Sequence, residues 1–181
     1  MASPWAHAIV GAAVGALYQS PPHRRRVIAL AAACAVAPDL DLVGWPLGIS
    51  PSALLGHRGL THSIPFAIAL GAAAAAALLT NATRRERAVA ALVQIAATAT
   101  HSVLDAMTTY APTGPAFWAP FSNQRYRFLW MPLTGAGGLK TDFGQEALYA
   151  CLPALVFILL IEWGRRRHAG PGRDRTPTPR A

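Results

Sequence analysis

The sequence predicts an all-α, polytopic membrane helical bundle of about five transmembrane helices, and three observations carry that reading. Of 181 residues 53% are hydrophobic and only 13% charged, too few charges to clothe a water-soluble domain. Apolar runs rich in Ala and Leu recur along the chain, separated by basic or Pro/Gly-rich stretches. The alternation over about ten residues that marks a membrane barrel is missing, so helices, which satisfy their own backbone polar groups, are the spanning elements.

The first run, Trp5–Tyr18, and the second, Val27–Ala37, fall short of the roughly 17–25 apolar residues that a span requires. They count as the first two of the five helices, with the alternative of a tight hairpin that spans only with help from flanking residues or local bilayer thinning. The third, Ile64–Thr80, and the fourth, Ala88 to about Met107, are long enough. A long outer loop, about Tyr110 to Gln145, carries APTGPAFWAPF and is expected to fold over the outer face as a lid. Its Tyr110, Trp118, Tyr126 and Trp130 suit an interfacial aromatic belt. Asp142 and Glu146 are expected to open the fifth helix, where acids favour the amino terminus. The fifth run, Ala147–Trp163, is the most lipid-like. Residues 1–163 thus form the membrane-embedded domain, and 164–181 a disordered, basic cytoplasmic tail.

Three basic clusters orient the bundle: His23–Arg26, Arg84–Arg87 and Gly164–His168. With five helices all three lie on one side, and Lys/Arg-rich short loops stay cytoplasmic, which puts the amino terminus outside. The same clusters account for the net charge of +8, so lipid headgroups rather than nucleic acid are the expected anionic partner. No basic segment precedes the first apolar run, so helix one is expected to remain in the mature protein. Cys34 and Cys151 sit inside apolar runs and read as small core residues.

On this topology His7, Asp39, Asp41, His57, His62, His101 and Asp105 all reach the outer end of the bundle. His101 and Asp105 are one helical turn apart on one face, and His7 shares its face with Gly11 and Gly15, small residues that admit a close neighbour. Ionisable groups at membrane depth are costly unless they pair with each other, with water or with a cation. Imidazole and carboxylate without thiolate suit zinc, with manganese or iron as alternatives. Four histidines and three carboxylates exceed the needs of one tetrahedral ion, so two or more bridged ions are an option. Bland roles compete: PDLD can simply end helix two, Thr61 and Ser63 can cap helix three, and Arg125 can anchor its loop at the headgroups.

An amino-terminal His, PDLD (Pro38–Asp41), HRGLTHS (His57–Ser63), HSVLD (His101–Asp105) followed by TTY, and PFSNQRY (Pro120–Tyr126) occur in an order that resembles the YdjM-like family of inner-membrane, membrane-bound metal-dependent hydrolases. The resemblance covers the chain to about Leu160 and implies a hydrolase class without a substrate. A more distant similarity, to the zinc-dependent phospholipase C and single-strand nuclease group, implies phosphoester cleavage. It also implies His7, Asp39, His57, His62, His101 and Asp105 as the metal ligands, with Asp41 as a bridging ligand, an outer partner or a cap. The mechanism expected is hydrolysis by metal-activated water at the outer face, with Arg58 and Arg125 holding a small or lipid-like anionic substrate and Asp41 as general base. The rivals are a cation-binding transporter or channel and a non-catalytic, metal-stabilised scaffold.

Overall fold

Helix starts in this chain coincide with side-chain caps. The computed structural model describes residues 2–109, 114–134 and 139–168; Tyr110 and residues 169–181 of the expected tail lie outside them. Helix α1 (Pro4–Gly15) opens behind Ser3, whose hydroxyl accepts the Ala6 N–H, with Pro4 at its first position. Helix α3 (Ile64–Leu78) is capped by Ser63 through the Phe66 N–H, as expected of that serine. Helix α4 (Arg84–Ala106) begins with a reciprocal pair in which Thr83 accepts from Glu86 N–H and Glu86 accepts from Thr83 N–H. That device lies hidden inside a segment that reads from sequence as a basic cluster.

Two lengths differ from the sequence expectation. Helix α2 (Arg24–Val36) does not stop at PDLD but continues as a 3-10 helix over Ala37–Gly44, giving a 21-residue rod. At about 1.5 Å per α residue and 2.0 Å per 3-10 residue this rod is about 35 Å long, enough to cross. Helix α3, expected to be long enough, is a 15-residue helix, because its Ser63 cap and its end at Leu78 leave little room. Among the described residues, three rods are long and apolar enough to cross: Arg24–Gly44, Arg84–Ala106 and Asp142–Arg167.

The last rod begins before the loop boundary expected near Gln145. Helix α5 (Leu139–Glu146) passes through a π turn, Ala147–Cys151, into α6 (Leu152–His168). The wide turn sits just ahead of Pro153, which lacks the N–H needed for a regular α turn. Helix α6 includes residues 164–168, which were expected to begin the tail. Among the described residues no strand forms beyond one isolated bridge, Thr108 to Leu133.

Helices α1 and α2 pack as one hairpin and α3 and α4 as another; α4 also touches α1 and α2, and α6 lies along α1. The core is largely alanine, including Ala6, Ala31, Ala35, Ala75, Ala90 and Ala97. Small residues let the backbones approach, and Gly11 shows how closely: a Cβ there would lie 2.6 Å from the Ala31 carbonyl oxygen. A backbone oxygen cannot swing aside, so Gly11→Val is expected to destabilise the protein by about 3 kcal/mol, at the upper end of overpacking costs. Gly144→Ala, where an added Cβ meets nothing, should be neutral in the same thermal-unfolding assay in detergent.

The two ends of the bundle differ in chemistry. At one end Ser20 donates to Glu86, Arg24 pairs with Glu162, and Arg26 and Arg87 donate to carbonyls at the end of α3. The three basic clusters therefore share an end, and the His/Asp residues gather at the other.

Candidate metal centre

Four elements deliver the cluster. The 3-10 segment carries Asp39 and Asp41, the α2–α3 loop carries His57 and Arg58, a 3-10 turn (Leu60–His62) presents His62, and α4 presents His101 and Asp105 from consecutive turns. The loop is wound tightly: a Cβ on Gly56 or Gly59 would lie 2.1 Å from a backbone oxygen, so HRGLTHS needs its glycine for close approach. Arg58 adopts a left-handed φ of 70°, uncommon for a residue with a side chain, which turns its guanidinium inward.

Asp39, His62, His101 and Asp105 each direct one ligand atom to a common point, all within 4.8 Å of one another. His62 Nε2 lies 3.0 Å from His101 Nε2 and 3.4 Å from Asp105 Oδ2, and His101 Nε2 lies 3.4 Å from Asp39 Oδ1. The distances from His62 Nε2 to Asp39 and from His101 Nε2 to Asp105 are each 3.9 Å. An ion bound tetrahedrally at about 2.0–2.1 Å has ligand–ligand edges of about 3.3–3.4 Å, close to this set.

Outer hydrogen bonds fix which ring nitrogens face inward. His101 Nδ1 lies 2.7 Å from the Ala35 carbonyl oxygen, which can only accept, so Nδ1 donates there and the ring turns its Nε2 to the centre. Thr61 donates its hydroxyl to Asp41 Oδ2 at 2.6 Å, and both oxygens face His62 Nδ1, at 3.0 and 3.2 Å. His62 is therefore held through Nδ1, with its Nε2 turned to the centre. The inward nitrogens of His62 and His101 meet the carboxylates of Asp39 and Asp105 here, and both Asp39 oxygens are buried without a hydrogen-bond partner. Imidazoles held through Nδ1 by a carboxylate or a carbonyl are the usual pattern of metal-binding histidines.

Charge points the same way. Asp39, Asp41 and Asp105 oppose one buried cation, Arg58, which leaves two negative charges for a divalent ion to balance. Burial opposes charging His62, but the Asp105 and Asp41 carboxylates outweigh it and raise its pKa above the ordinary histidine value. The cavity favours positive charge in whatever form it arrives.

The remaining expected residues have distinct placements. His7, fully buried, stacks on His101 at 3.7 Å, and its Nε2 is 3.8 Å from Asp105 Oδ1; it sits beside the four-atom set. His57 pairs with Asp41 at 2.8 Å and joins a second group, Asp41, His57 and His62. That group shares His62 through the opposite nitrogen, so filling both groups would demand a doubly deprotonated ring. Arg58 Nε is 3.0 Å from Asp105 Oδ2 and its Nη2 donates to Thr108 at 2.8 Å.

For two residues the contacts favour the holding role among the alternatives the sequence offered. Asp41, anticipated as general base, has both oxygens occupied by His57, Thr61, His62 and the Arg58 N–H, and so acts as a hydrogen-bond anchor. Arg125, anticipated at the substrate, turns its guanidinium to backbone carbonyls of residues 51–58, the shortest being 2.6 Å to Arg58 O. It holds the loop, and burial lowers its pKa while Asp41 opposes that shift. Thr61, Ser102, Thr108 and Glu146 went unassigned or were read only as caps. Ser102 donates to the His62 carbonyl, and Glu146 accepts from the Ser3 N–H and hydroxyl, tying α5 to α1 at 2.5 Å. The signal for Ser102 and Thr108 was their place beside HSVLD. Nothing local in the sequence marks the Ser3–Glu146 contact.

Asp41→Asn is expected to weaken metal binding about 10–100-fold without abolishing it, since it loosens His62 but leaves all four ligand atoms in place. Competition titration with a chromophoric chelator measures it.

The segment 114–134 covers this end. Ala116 N–H donates to Arg58 O, Ile64 N–H to Phe117 O and Phe128 N–H to Ala106 O. Trp118 and Trp130 remain exposed, as an interfacial belt requires.

Comparison with known proteins agrees with this architecture. The chain is 26% identical over 174 residues to the inner membrane protein YbcI of Escherichia coli (strain K12), covering 88% of this chain and 96% of that protein. No solved structure matches it. The profile of the YdjM inner membrane protein family matches residues 1–168. With that match spanning the helices and every residue of the centre, the chain belongs to the YdjM inner membrane protein family.

Proposed function

We propose that this protein is a membrane-bound, metal-dependent hydrolase that cleaves a phosphoester at the outer face of the membrane. The observation that carries the proposal is the convergence of four buried ligand atoms, with both Asp39 oxygens lacking a hydrogen-bond partner. Asp39, His62, His101 and Asp105 hold a divalent ion, zinc or alternatively manganese, and His7 is the further nitrogen that the centre can recruit. Such an ion lowers the pKa of a coordinated water from about 15.7 toward 7.

The chain's own groups supply the rest. Asp41 and the Ala35 carbonyl orient the two imidazoles, and Asp41 also holds His57. Arg58, already 3.0 Å from Asp105, neutralises an anionic phosphoryl group brought next to the centre. Hydrolysis would place the water oxygen on phosphorus as the phosphorus–oxygen bond to the leaving group breaks, and the proton given up by that water would end on the departing oxygen, which leaves as an alcohol. Arg125 keeps the HRGLTHS loop wound while this occurs. The basic end of the bundle faces the cytoplasm by the charge rule for short loops, which puts the centre outside.

A second reading has one observation in its favour: four protein ligands can saturate a tetrahedral ion, as structural sites do. X-ray absorption spectroscopy of the metal-loaded protein separates the two. Five or more N/O ligands including exchangeable water, with release of p-nitrophenol from bis(p-nitrophenyl) phosphate, is the expected result. A four-ligand shell without exchangeable water or turnover would leave a metal-stabilised scaffold. Metal uptake into proteoliposomes would instead identify a transporter.

A further inference from the structure

A cavity of about 90 Å³ lies between the start of α3 and the outer half of α4, walled by Ile64, Ala99, Val103 and Phe117, with His62, Ser63 and Ser102 at its inner side. His62 is a residue of the metal centre, so this cavity abuts the centre directly. Its two hydroxyls are already used: Ser102 donates to the His62 carbonyl and Ser63 caps α3. What remains is a hydrocarbon surface, and apolar cavities of this kind exclude water. The outer wall belongs to α4, one of the rods long enough to cross the membrane, and its rim residue Val103 is 41% exposed. The medium on that side of a spanning helix is lipid. Phe117 is held in the cavity wall by the bond from Ile64 N–H to its carbonyl, 2.9 Å long.

We infer that the substrate is an amphipathic lipid phosphoester that enters sideways from the bilayer between α3 and α4, lodging the first methylenes of its chain in this cavity. The inference rests on the hydrolase reading above and sharpens it, because a soluble phosphoester has nothing to place there. The space admits a short run of methylenes and no headgroup, so it sets the depth at which the phosphoryl group meets Arg58 and the centre. A chain seated against His62 leaves the headgroup on the loop side, beneath segment 114–134.

The test uses the full chain in dioleoyl phosphatidylcholine nanodiscs containing phosphatidic acid with a diazirine in its acyl chain. Photolabelling is expected to concentrate on Ile64, Val103 and Phe117. Ala99→Phe and, at the exposed rim, Val103→Phe should each cut that labelling about tenfold, the equivalent of roughly two methylenes of lost burial, while the bound metal stays unchanged. Labelling spread over the lipid face of α6 without enrichment at the cavity, or indifferent to both variants, overturns the inference. Turnover of soluble bis(p-nitrophenyl) phosphate separates the two levels. If it persists while cavity labelling fails, the entry route is wrong and the hydrolase stands. Concentrated labelling without metal or turnover supports the chain site and overturns the hydrolase reading.

Discussion

His101→Ala is expected to reduce bound divalent metal from one ion per chain to a trace, and His62→Ala to do the same, by elemental analysis of protein matched by size exclusion. Each variant deletes one of two Nε2 atoms that lie 3.0 Å apart and leaves the Asp39 and Asp105 carboxylates facing a gap. Losing a direct ligand should exceed the roughly 10–100-fold cost of disturbing an outer hydrogen bond, so these variants must fall well below Asp41→Asn. Stoichiometry is part of the same result. The buried charges leave a deficit that one divalent ion fills, and the second group can be filled only by drawing on both nitrogens of His62. Two ions per chain would refute that balance, and full metal retention in both alanine variants would remove the centre altogether.

The helical class, the shared end of the basic clusters and the gathering of HRGLTHS and HSVLD at the other end are legible in the sequence, because apolar run lengths and basic loops together set the topology. His101 and Asp105 need only helical spacing, and Gly11 needs only its step of four from His7. What the sequence hides is long-range or depends on backbone geometry. Arg58 and Asp105 lie far apart in the chain, and the inward turn of Arg58 comes from a left-handed φ that no neighbour announces. The span lengths of α2 and α3 were mistaken for a related reason. PDLD looks like a stop, since Pro38 lacks an N–H, yet the chain tightens into a 3-10 helix and carries both carboxylates onward to the centre. Asp41 and Arg125 were given chemical roles because charge near a site suggests chemistry. Their hydrogen bonds show that they hold the imidazoles and the loop, which are the parts that must not move.

Arg58→Met carries the most discriminating prediction, because its sign reverses between stability and affinity. Arg58 is 1% exposed and pairs with the fully buried Asp105, so removing it from the metal-free protein strands a carboxylate, at a cost of about 3–5 kcal/mol. Methionine keeps the length and apolar stem of the side chain, and the backbone strain at this position is the same in both forms. With a divalent ion seated against Asp105 the carboxylate keeps a positive neighbour, so the same substitution should cost the metal-bound protein less. Unfolding measured with metal and with chelator therefore defines a closed cycle. The difference between the two costs must equal the change in metal affinity, so each 1.4 kcal/mol of difference appears as tenfold tighter binding in the variant. Phosphoester turnover should nevertheless fall, since the group that meets the phosphoryl oxygens has gone. Tighter metal with weaker turnover would identify Arg58 as the cation that stands opposite Asp105 until the ion arrives, and then serves the substrate. Weaker metal binding in Arg58→Met would mean that the guanidinium chiefly aims Asp105 at the centre, and its assignment to the substrate would have to be withdrawn.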